Sequence, residues 1–594
     1  MKFRFLLFFI SLCAQGAELR LWPEYLRTGP DGDVVAADRA APPNLLKSIR
    51  VARAGYASLQ VAVRLRSPGN YTFTVQSPLP TEVFREWYHR LEKDGAWYPD
   101  ALVPVKSPHS ARLPDVDNRV ENQQAQAYWI DVWVPAATRP GEYRLTFRLE
   151  SAEGNAEAVL PIRVIAPVIP DEDVVAIDHN SYGSSWIGDL YSKERARAGA
   201  DFYRSDAFFH LIHAYHRIFY EHRGVFHQLG YGHGGKVGPE FAPALEGSGR
   251  ERHITGWDLY DRHYGPLFDG TAFRDTRRGA RPIPFAYLPI NPEWPASYLW
   301  WGEPGYEAEF GNVVKEMERH FREKGWTHTR LELFFNHKKR YMGFPWDGDE
   351  VRFPKDDYYF KEYGRMFRNA VPKDSPVQFV FRADSSWTME QQSKELAGIV
   401  NMWICSDGIL SWYPGVAREM KRRGDIVWFY SGPPSVTEVS AKITEFPFQA
   451  WLWGVDGFVH WLTVSAGEDP WFHFDGGGTA LVYSGERFGI EGPIPSIRLK
   501  VQRNAVQDLA LLDSLRTRRP IEELRAGAAR SFNGSKPEDW WNPRPAIADR
   551  PPIEWTNGEI RAATAGTRNM LRKTGPGAWE SVHAYIMQMA EGLQ

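Results

Sequence analysis

The adjacent carboxylates Asp349 and Glu350 are the residues whose types and spacing best fit catalytic chemistry in this sequence. They close a compact acidic segment, residues 344–350, just ahead of a predicted helix. Cleavage of a glycosidic bond needs a proton donor at the leaving oxygen and negative charge near the developing oxocarbenium carbon. Two neighbouring carboxyl groups can fill both roles if their surroundings separate their pKa values. Loop carboxylates that cap turns give the same pattern, so the pair alone leaves both interpretations open.

Other polar and aromatic residues recur where predicted strands end. A single one of them could be structural, but so many on one rim favour a functional site. They are Asp178, His179, Asn180, His227, His233, Asn291, Glu293, Asn336, His337, Asp384, Asp407, Tyr430, His460 and Trp461.

Eight candidate strands alternate with amphipathic stretches in the second part of the chain. This alternation predicts a (β/α)8 barrel over residues 167–515, and such barrels place their active site at the carboxyl ends of the strands. The strands are predicted at residues 174–179, 224–229, 284–289, 330–336, 378–384, 402–407, 425–431 and 457–464, and the clearest helices at residues 306–324, 358–371, 415–423 and 436–454.

The first part of the chain has short alternating strands separated by Pro/Gly turns. Residues 58–64, 71–75, 128–134 and 143–149 show the pattern most clearly, which predicts an antiparallel β-sandwich over residues 17–166. Residues 166–171 read as a stiff linker. Residues 516–594 form a C-terminal extension with a helix predicted near residues 578–593, and no function is assigned to it.

Residues 1–16 have the features of an export signal: a short positive end, an apolar run and small residues at a cleavage site. We therefore expect a secreted or periplasmic protein with no membrane span. Removal of the signal leaves Cys405 as the only cysteine, which excludes an intramolecular disulfide and predicts a buried structural thiol.

The overall composition narrows the class of partner. The net charge is −3 with both signs interspersed, so neither nucleic acid nor an anionic membrane is expected as a partner. Aromatic residues make up 14% of the chain, including 24 Trp. Such a content suits either stacking against sugar rings or a large aromatic core.

Three smaller clusters have a structural and a functional interpretation. His210, His213 and His216 lie three residues apart, but without a nearby acidic ligand we expect helix histidines, no catalytic metal and no cofactor. The basic residues 338–340 suit a solvated loop, or contact with an anionic sugar. Arg498 and Arg503 are expected to form structural ion pairs.

Several motifs between residues 330 and 515 resemble glycoside hydrolase family 123, the β-N-acetylgalactosaminidases. They are Asp349-Glu350 ahead of residues 358–363, and residues 426–433, 450–461, 478–485 and 495–503. Over the first 300 residues only the architecture is similar. The resemblance implies a sandwich followed by a (β/α)8 barrel, and a glycan substrate with a terminal N-acetylhexosamine.

The resemblance also implies roles for individual residues. In this family the 2-acetamido oxygen of the substrate attacks C1, and the reaction proceeds with retention. Carried over, Asp349 would hold the acetamido N–H and Glu350 would be the general acid/base. Tyr430 would bond the acetamido oxygen, and Trp461, with Trp428 or Trp453, would floor the sugar pocket.

The sequence departs from the family pattern just before the acid pair. There the pair follows its strand closely and precedes a proline, whereas here residues 335–343 intervene and Val351 follows Glu350. A different alignment puts Asn336-His337, which lack a carboxylate, at the catalytic position. Asp384 or Asp407 would then take over, or the chain would be inactive.

Three functional hypotheses follow from the sequence. The first is a retaining β-N-acetylhexosaminidase that prefers galactosamine. The second is a glycosidase for a sugar without an acetamido group, with Glu350 and either Asp384 or Asp407 as separated carboxylates. The third is a non-catalytic glycan-binding protein.

Overall fold

The structure is a computed structural model, and it describes most of the chain. The described residues are 16–39, 45–182, 184–232, 234, 237–238, 240–297, 302–341, 343–351, 353–464, 469–474, 480–571 and 575–592. The predicted signal, apart from residue 16, and the strand-end residue His233 lie outside them.

The N-terminal part is built from ten strands in two sheets. The sheet orders are β1-β3-β8-β5-β6 and β2-β10-β9-β4-β7, antiparallel throughout except for the β2–β10 pair. This confirms the antiparallel sheets predicted for this part of the chain. The strands are β1 (Glu18–Pro23), β2 (Ile49–Arg53), β3 (Gly55–Arg64), β4 (Gly69–Gln76), β5 (Thr81–Arg90), β6 (Trp97–Val105), β7 (His109–Leu113), β8 (Ala125–Val134), β9 (Gly141–Ser151) and β10 (Gly154–Val168).

A hydrophobic core fills the space between the two sheets. Leu59 and Val61 of β3 meet Phe147 of β9 and Ile162 of β10 in it, all fully buried. Their spacing of two along β3 places successive core residues on one face of the sheet. Strand β10 continues to Val168, so it includes the first residues of the segment predicted to be a linker.

Within the described residues twelve further strands follow, and eight of them form a single parallel sheet in the order β12-β11-β20-β19-β18-β17-β16-β15. The other four form two short antiparallel pairs. The strands are β11 (Ala176–Tyr182), β12 (Val225–Leu229), β13 (Ala244–Glu246), β14 (His253–Gly256), β15 (Phe285–Tyr287), β16 (Arg330–Leu333), β17 (Gln378–Ser385), β18 (Met402–Ser406), β19 (Ile426–Ser431), β20 (Gly457–His460), β21 (Val482–Ser484) and β22 (Pro493–Pro495).

The eight-stranded sheet curves into a nearly closed barrel. Its two edge strands meet where His227 of β12 stacks on Tyr287 of β15, with ring centroids 3.7 Å apart. Inside, Phe285, Ile404 and Trp428 pack in one apolar cluster. All eight predicted barrel strands are present, although β15, β16 and β20 are shorter than predicted.

At least one helix separates each barrel strand from the next along the chain. The predicted helix over residues 306–324 is confirmed at both ends, and it stops at Gly325, whose φ of 72° suits a C-terminal cap. The helices are α1 (Ser184–Leu190), α2 (Ser192–Ala198), α3 (Asp206–Glu221), α4 (Asp258–Phe268), α5 (Tyr306–Lys324), α6 (Asp357–Ala370), α7 (Met389–Glu395), α8 (Asp407–Leu410), α9 (Pro414–Arg422), α10 (Glu445–Trp453), α11 (Ile497–Ser514), α12 (Ile521–Asn533), α13 (Asn557–Leu571) and α14 (Ala578–Glu591).

Helix α11 joins the barrel to the sandwich through buried ion pairs. Arg498 contacts Asp100 of β6 at 2.7 Å, and both side chains are at most 1% exposed. Lys500 and Arg503 contact Asp131 of β8 at 2.5 and 2.9 Å. The ion-pairing role predicted for Arg498 and Arg503 is therefore confirmed, and it fixes the two parts of the molecule relative to each other.

The C-terminal extension packs back on the same junction. In α14, His583 contacts Asp508 of α11 at 2.5 Å, and the Trp579 indole donates a hydrogen bond to Glu24 at 2.7 Å. The hydroxyl of Tyr25 donates to Glu580. The extension thus closes over both the sandwich and the barrel.

Two further expectations concern the burial of Cys405 and the presence of a membrane-spanning helix. Cys405 of β18 is fully buried, as predicted. Within the part of the chain that the structure describes, no helix has both the length and the apolar character needed to cross a membrane.

Candidate active site

A loop after β16 carries the acidic segment. The carbonyl oxygen of His337 accepts hydrogen bonds from the backbone N–H of Gly348 at 3.1 Å and of Asp349 at 3.3 Å. The chain therefore leaves the barrel after His337 and returns to the same point. The chain between these points forms a closed loop, of which residues 338–341 and 343–347 are described.

One aromatic side chain anchors this loop to the barrel. Trp346 is fully buried and stacks on Tyr359 of α6, with ring centroids 5.0 Å apart and planes 2° from parallel. It also contacts Phe335 and His337 from the chain that precedes the loop. An indole buried among aromatic rings supplies much of the apolar contact that holds this loop.

The backbone at the acid pair is tightly constrained. Asp349 forms an isolated parallel bridge with Asp384 at the carboxyl end of β17. Glu350, the next residue, has a φ of 50°. A residue other than glycine is costly in this left-handed region and persists where the surroundings enforce it. Such strain is typical of functional sites.

Gly348, immediately before the acid pair, allows the returning chain to pass close to the end of β16. A Cβ atom at Gly348 would lie 2.6 Å from the backbone oxygen of Phe335 and 2.7 Å from the imidazole of His337. Only glycine lets the returning chain approach the end of β16 so closely.

The Lys338 ammonium lies between the two acidic side chains. Its Nζ is 3.3 Å from Asp349 Oδ2 and 3.3 Å from Glu350 Oε2. The Lys338 and Asp349 side chains are 18% and 9% exposed, whereas that of Glu350 is 38% exposed. The pair therefore presents one shielded carboxylate and one that is open to solvent.

Tyr430, at the end of β19, completes this group. Its hydroxyl donates a hydrogen bond to Glu350 Oε1. Burial, followed by the charge of Glu350, raises the pKa of Tyr430 well above its usual value. The phenol stays protonated over the physiological range and remains a hydrogen-bond donor.

Below the acid pair, an arginine organises a buried set of charges. Arg382 of β17 forms a bidentate pair with Asp384 at 2.7 and 3.0 Å. Its Nη1 also donates to Glu332 at 2.9 Å and to the Tyr287 hydroxyl at 2.8 Å. Burial raises the pKa of Asp384 to about 7 against the opposing effect of Arg382, and this value includes a smaller upward effect of nearby Asp349.

Two more strands contribute to the same buried network. His227 Nδ1 of β12 lies 2.8 Å from Asp178 Oδ2 of β11, and its Nε2 is 3.5 Å from Glu332. Asn180 donates to the Tyr287 hydroxyl at 3.2 Å. These contacts link β11, β12, β15, β16 and β17 in one buried polar network beneath the acid pair.

Aromatic side chains line the neighbouring part of the rim. Trp461 stands edge-on to Tyr182 of β11, with ring centroids 5.3 Å apart, and Trp186 packs against the same tyrosine at 5.5 Å. Asn336 points its amide towards the Tyr182 hydroxyl at 3.5 Å. Aromatic faces with nearby polar groups are suited to sugar rings.

The sequence predicted His460, Trp428 and Trp453 for the site, but their side chains contact other parts of the protein. His460 contacts Gln502 at 2.7 Å and packs beside Phe446, on the outer side of β20. Trp428 is 1% exposed in the apolar interior of the barrel, two residues before Tyr430. Trp453 lies on α10, where its indole donates to the Trp540 backbone.

Other strand-end residues hold local structure. Asp407 begins α8 and accepts a hydrogen bond from the Gly408 backbone N–H at 2.6 Å. Asn291 accepts bonds from the backbone N–H groups of Glu293 and Trp294. His337 is fully buried under the acidic loop, against Trp346.

Sequence reasoning missed three contributors to the site. Tyr182 ends β11 and faces Trp461. Glu332 and Arg382 belong to the buried charge network. Side chains two positions apart along a strand point to the same side. The position of Arg382, two residues before Asp384, would therefore have identified it from the sequence.

Comparisons with known proteins give a solved structure of similar fold. A solved family 123 glycoside hydrolase from Clostridium perfringens, described for glycolipid glycan hydrolysis, has a TM-score of 0.64 to this chain at 13% sequence identity. The match covers 94% of this chain and 99% of that one. At this identity the likeness shows the fold alone, which is therefore like that of a family 123 glycoside hydrolase.

A second solved structure is more distant. The CBM22-1 and GH10 modules of xylanase 10B from Clostridium thermocellum match 83% of this chain and 93% of their own at 9% identity, with a TM-score of 0.31. No protein-family model matches the chain, and no curated protein matches it.

Proposed function

We propose that this protein is a secreted or periplasmic glycoside hydrolase, a retaining β-N-acetylhexosaminidase that prefers N-acetylgalactosamine. The observation that carries the proposal is the placement of Asp349 and Glu350 at the carboxyl-end rim of the barrel, next to the Tyr430 hydroxyl. The likeness in fold to a family 123 glycoside hydrolase supports it. We interpret the barrel as a (β/α)8 barrel, which carries its active site at this rim.

The proposed mechanism is substrate-assisted. The acetamido oxygen of the substrate attacks C1 as the glycosidic bond breaks, and the electron pair of that bond goes to the leaving oxygen. Glu350 gives its proton to that oxygen. In the second step Glu350 takes a proton from water, which attacks C1 and reopens the oxazolinium ring with net retention.

The other residues support the charge that develops on the substrate. Asp349 accepts a hydrogen bond from the acetamido N–H, which becomes more acidic as the ring forms. Tyr430 donates to the acetamido oxygen and orients it towards C1. Because the substrate supplies the nucleophile, no second protein carboxylate is needed at the spacing usual in retaining enzymes.

The bidentate contact of Asp384 with Arg382 weighs against the alternative with two separated carboxylates. Both oxygens of Asp384 already accept guanidinium hydrogen bonds, at 2.7 and 3.0 Å. The guanidinium withdraws charge from both oxygens and so weakens Asp384 as a nucleophile. We therefore assign Asp384 a supporting role beneath the pair.

A substrate screen tests the proposal. Nitrophenyl glycosides of β-GalNAc, β-GlcNAc, β-galactose and β-glucose are assayed side by side, and we expect hydrolysis of the acetamido sugars, with GalNAc preferred. A thiazoline that mimics the oxazolinium ion should inhibit. Hydrolysis of only the sugars without an acetamido group would refute the mechanism.

A glycan-binding protein without activity is the remaining alternative. Glu350→Gln keeps the shape of the side chain but removes its acid. Under the proposal this variant loses hydrolysis and still binds the thiazoline. Glycan binding by a wild-type protein that hydrolyses none of the four glycosides would favour the alternative instead.

A further inference from the structure

Lys338 occupies a position that the proposed reaction does not yet explain. It is the first residue of the closed loop, directly after His337, and its ammonium is equidistant from one oxygen of Asp349 and one of Glu350, 3.3 Å in each case. The neighbouring basic residue behaves differently. The Lys339 ammonium lies 3.2 Å from Asp356 and 3.9 Å from Asp347, away from the pair.

We propose that Lys338 is a positioning residue for the acid pair, which bridges the two carboxylates and holds Glu350 where it can donate its proton. The proposal rests on the proposed function, in which Glu350 must be protonated before the first step. It follows from the contacts and does not require Lys338 to touch the substrate.

Geometry supports a holding role. Asp349 and Glu350 are consecutive, and the φ of 50° at Glu350 turns the two side chains so that one cation reaches both. The two carboxylates repel each other when both are charged, and a shared ammonium offsets that repulsion. Without it, we expect the more exposed side chain, Glu350, to move away from Asp349.

The surrounding charges also support the bridge. Among the described residues, Tyr430 from β19, Tyr182 from β11, and Asp384 with Arg382 from β17 also face the pair. The Arg382 guanidinium is bound to Asp384 and Glu332, whereas the Lys338 ammonium contacts both members of the pair.

The pKa of the Lys338 amine agrees with this bridge. Burial lowers the pKa of Lys338, but Asp349 and Glu350 more than offset this, and the net direction is upward. The side chain is 18% exposed, so it can still be reached by a small reagent. This gives a readout that is independent of catalysis.

The activity test compares two methionine variants on the same loop. Lys338→Met removes the bridging charge with little change in shape, and Lys339→Met removes the neighbouring charge as a matched control. Both kcat and KM are measured with nitrophenyl β-GalNAc. We expect kcat to fall about tenfold or more in Lys338→Met with a smaller change in KM. In Lys339→Met we expect no change in either, and Lys338→Arg should largely restore kcat.

The second test follows the amine directly. Competitive labelling with acetic anhydride, read by peptide mass spectrometry, gives the pKa of Lys338 in the wild-type protein and in Glu350→Gln. We expect a lower pKa in the variant, because one of its two anionic partners has been neutralised.

The two tests separate the possible failures. An unchanged kcat in Lys338→Met would overturn the positioning role while leaving the hydrolase assignment intact. An unchanged labelling profile in Glu350→Gln would overturn the bridge itself. If the wild-type protein hydrolyses no glycoside, the proposed function fails, and the labelling result still decides whether the bridge exists.

Discussion

Asp349 pairs with Asp384 in a parallel bridge, although eleven residues separate it from His337, where the chain leaves the barrel. The loop between them closes on itself, and the backbone N–H of Asp349 returns to the carbonyl oxygen of His337. The acid pair therefore lies beside the end of β17, in the position that it would have if it followed β16 directly. The insertion changes the length of the loop but not the place of the pair on the rim.

The first prediction separates the roles of the two acids by leaving group. Glu350→Gln should reduce kcat/KM by about 10²–10⁴-fold on a phenyl glycoside, where the leaving oxygen needs a proton. The loss should be much smaller on a dinitrophenyl glycoside, which needs none. Asp349→Asn should lose similar amounts of kcat/KM on both glycosides, because Asp349 acts on the acetamido group and not on the leaving oxygen. Asp347→Asn, on the same loop, serves as the control and should retain activity.

If the loss in kcat/KM depended equally on the leaving group in Glu350→Gln and Asp349→Asn, the two acids would not have separate roles. That result would favour a mechanism in which they act as one unit.

The second prediction concerns the Tyr430 hydroxyl. Tyr430→Phe removes the donor to Glu350 and, in the proposed complex, to the acetamido oxygen. We expect kcat to fall about tenfold to a hundredfold with a smaller change in KM, because the bond matters most as charge develops. Tyr358→Phe changes a tyrosine that is 56% exposed on α6, and it should have little effect. Equal losses in the two variants would contradict a specific role for Tyr430.

The third prediction tests the close approach of the returning loop. Gly348→Ala places a methyl group 2.6 Å from the Phe335 backbone oxygen. We expect a loss of about 1–3 kcal/mol in the free energy of unfolding, together with lower activity as the acid pair shifts. Gly415→Ala, in α9 with open space around its Cβ position, should be neutral or stabilising. Urea unfolding and kcat/KM measure both effects.

The fourth prediction concerns pH and the junction between α14 and α11. Burial lowers the pKa of His583, but the Asp508 carboxylate at 2.5 Å outweighs this, so the pKa is about 9. A raised folded-state pKa means that the contribution to stability is fully present below the unfolded value of about 6.5 and is lost as the pH rises through 9. The imidazole is 30% exposed, so solvent screens part of the effect.

This pH dependence is measured as the difference in Tm between wild type and His583→Gln across pH 6 to 10. We expect the wild type to be more stable at pH 6 and the difference to shrink towards pH 10. A difference that stays constant with pH would show that the pair is not charged in the folded protein.

The sequence by itself determined the order and type of the main elements. Alternation along single strands and the spacing of apolar residues in helices are local properties, so they predicted all eight barrel strands and helix α5 to its last residue. The same local reading located the acidic loop after β16 and the tyrosine at the end of β19. It also predicted the buried thiol of Cys405 and the ion pairs of Arg498 and Arg503.

Only the tertiary structure decided which of these side chains meet. His460 and Trp461 are neighbours in sequence, yet one faces α11 and the other the rim, because successive residues along a strand point to opposite sides. The contacts of Glu350 with Tyr430 and of Arg382 with Glu332 join residues 80 and 50 positions apart. Such contacts depend on how the strands lie side by side in the nearly closed barrel, which no local pattern in the chain records.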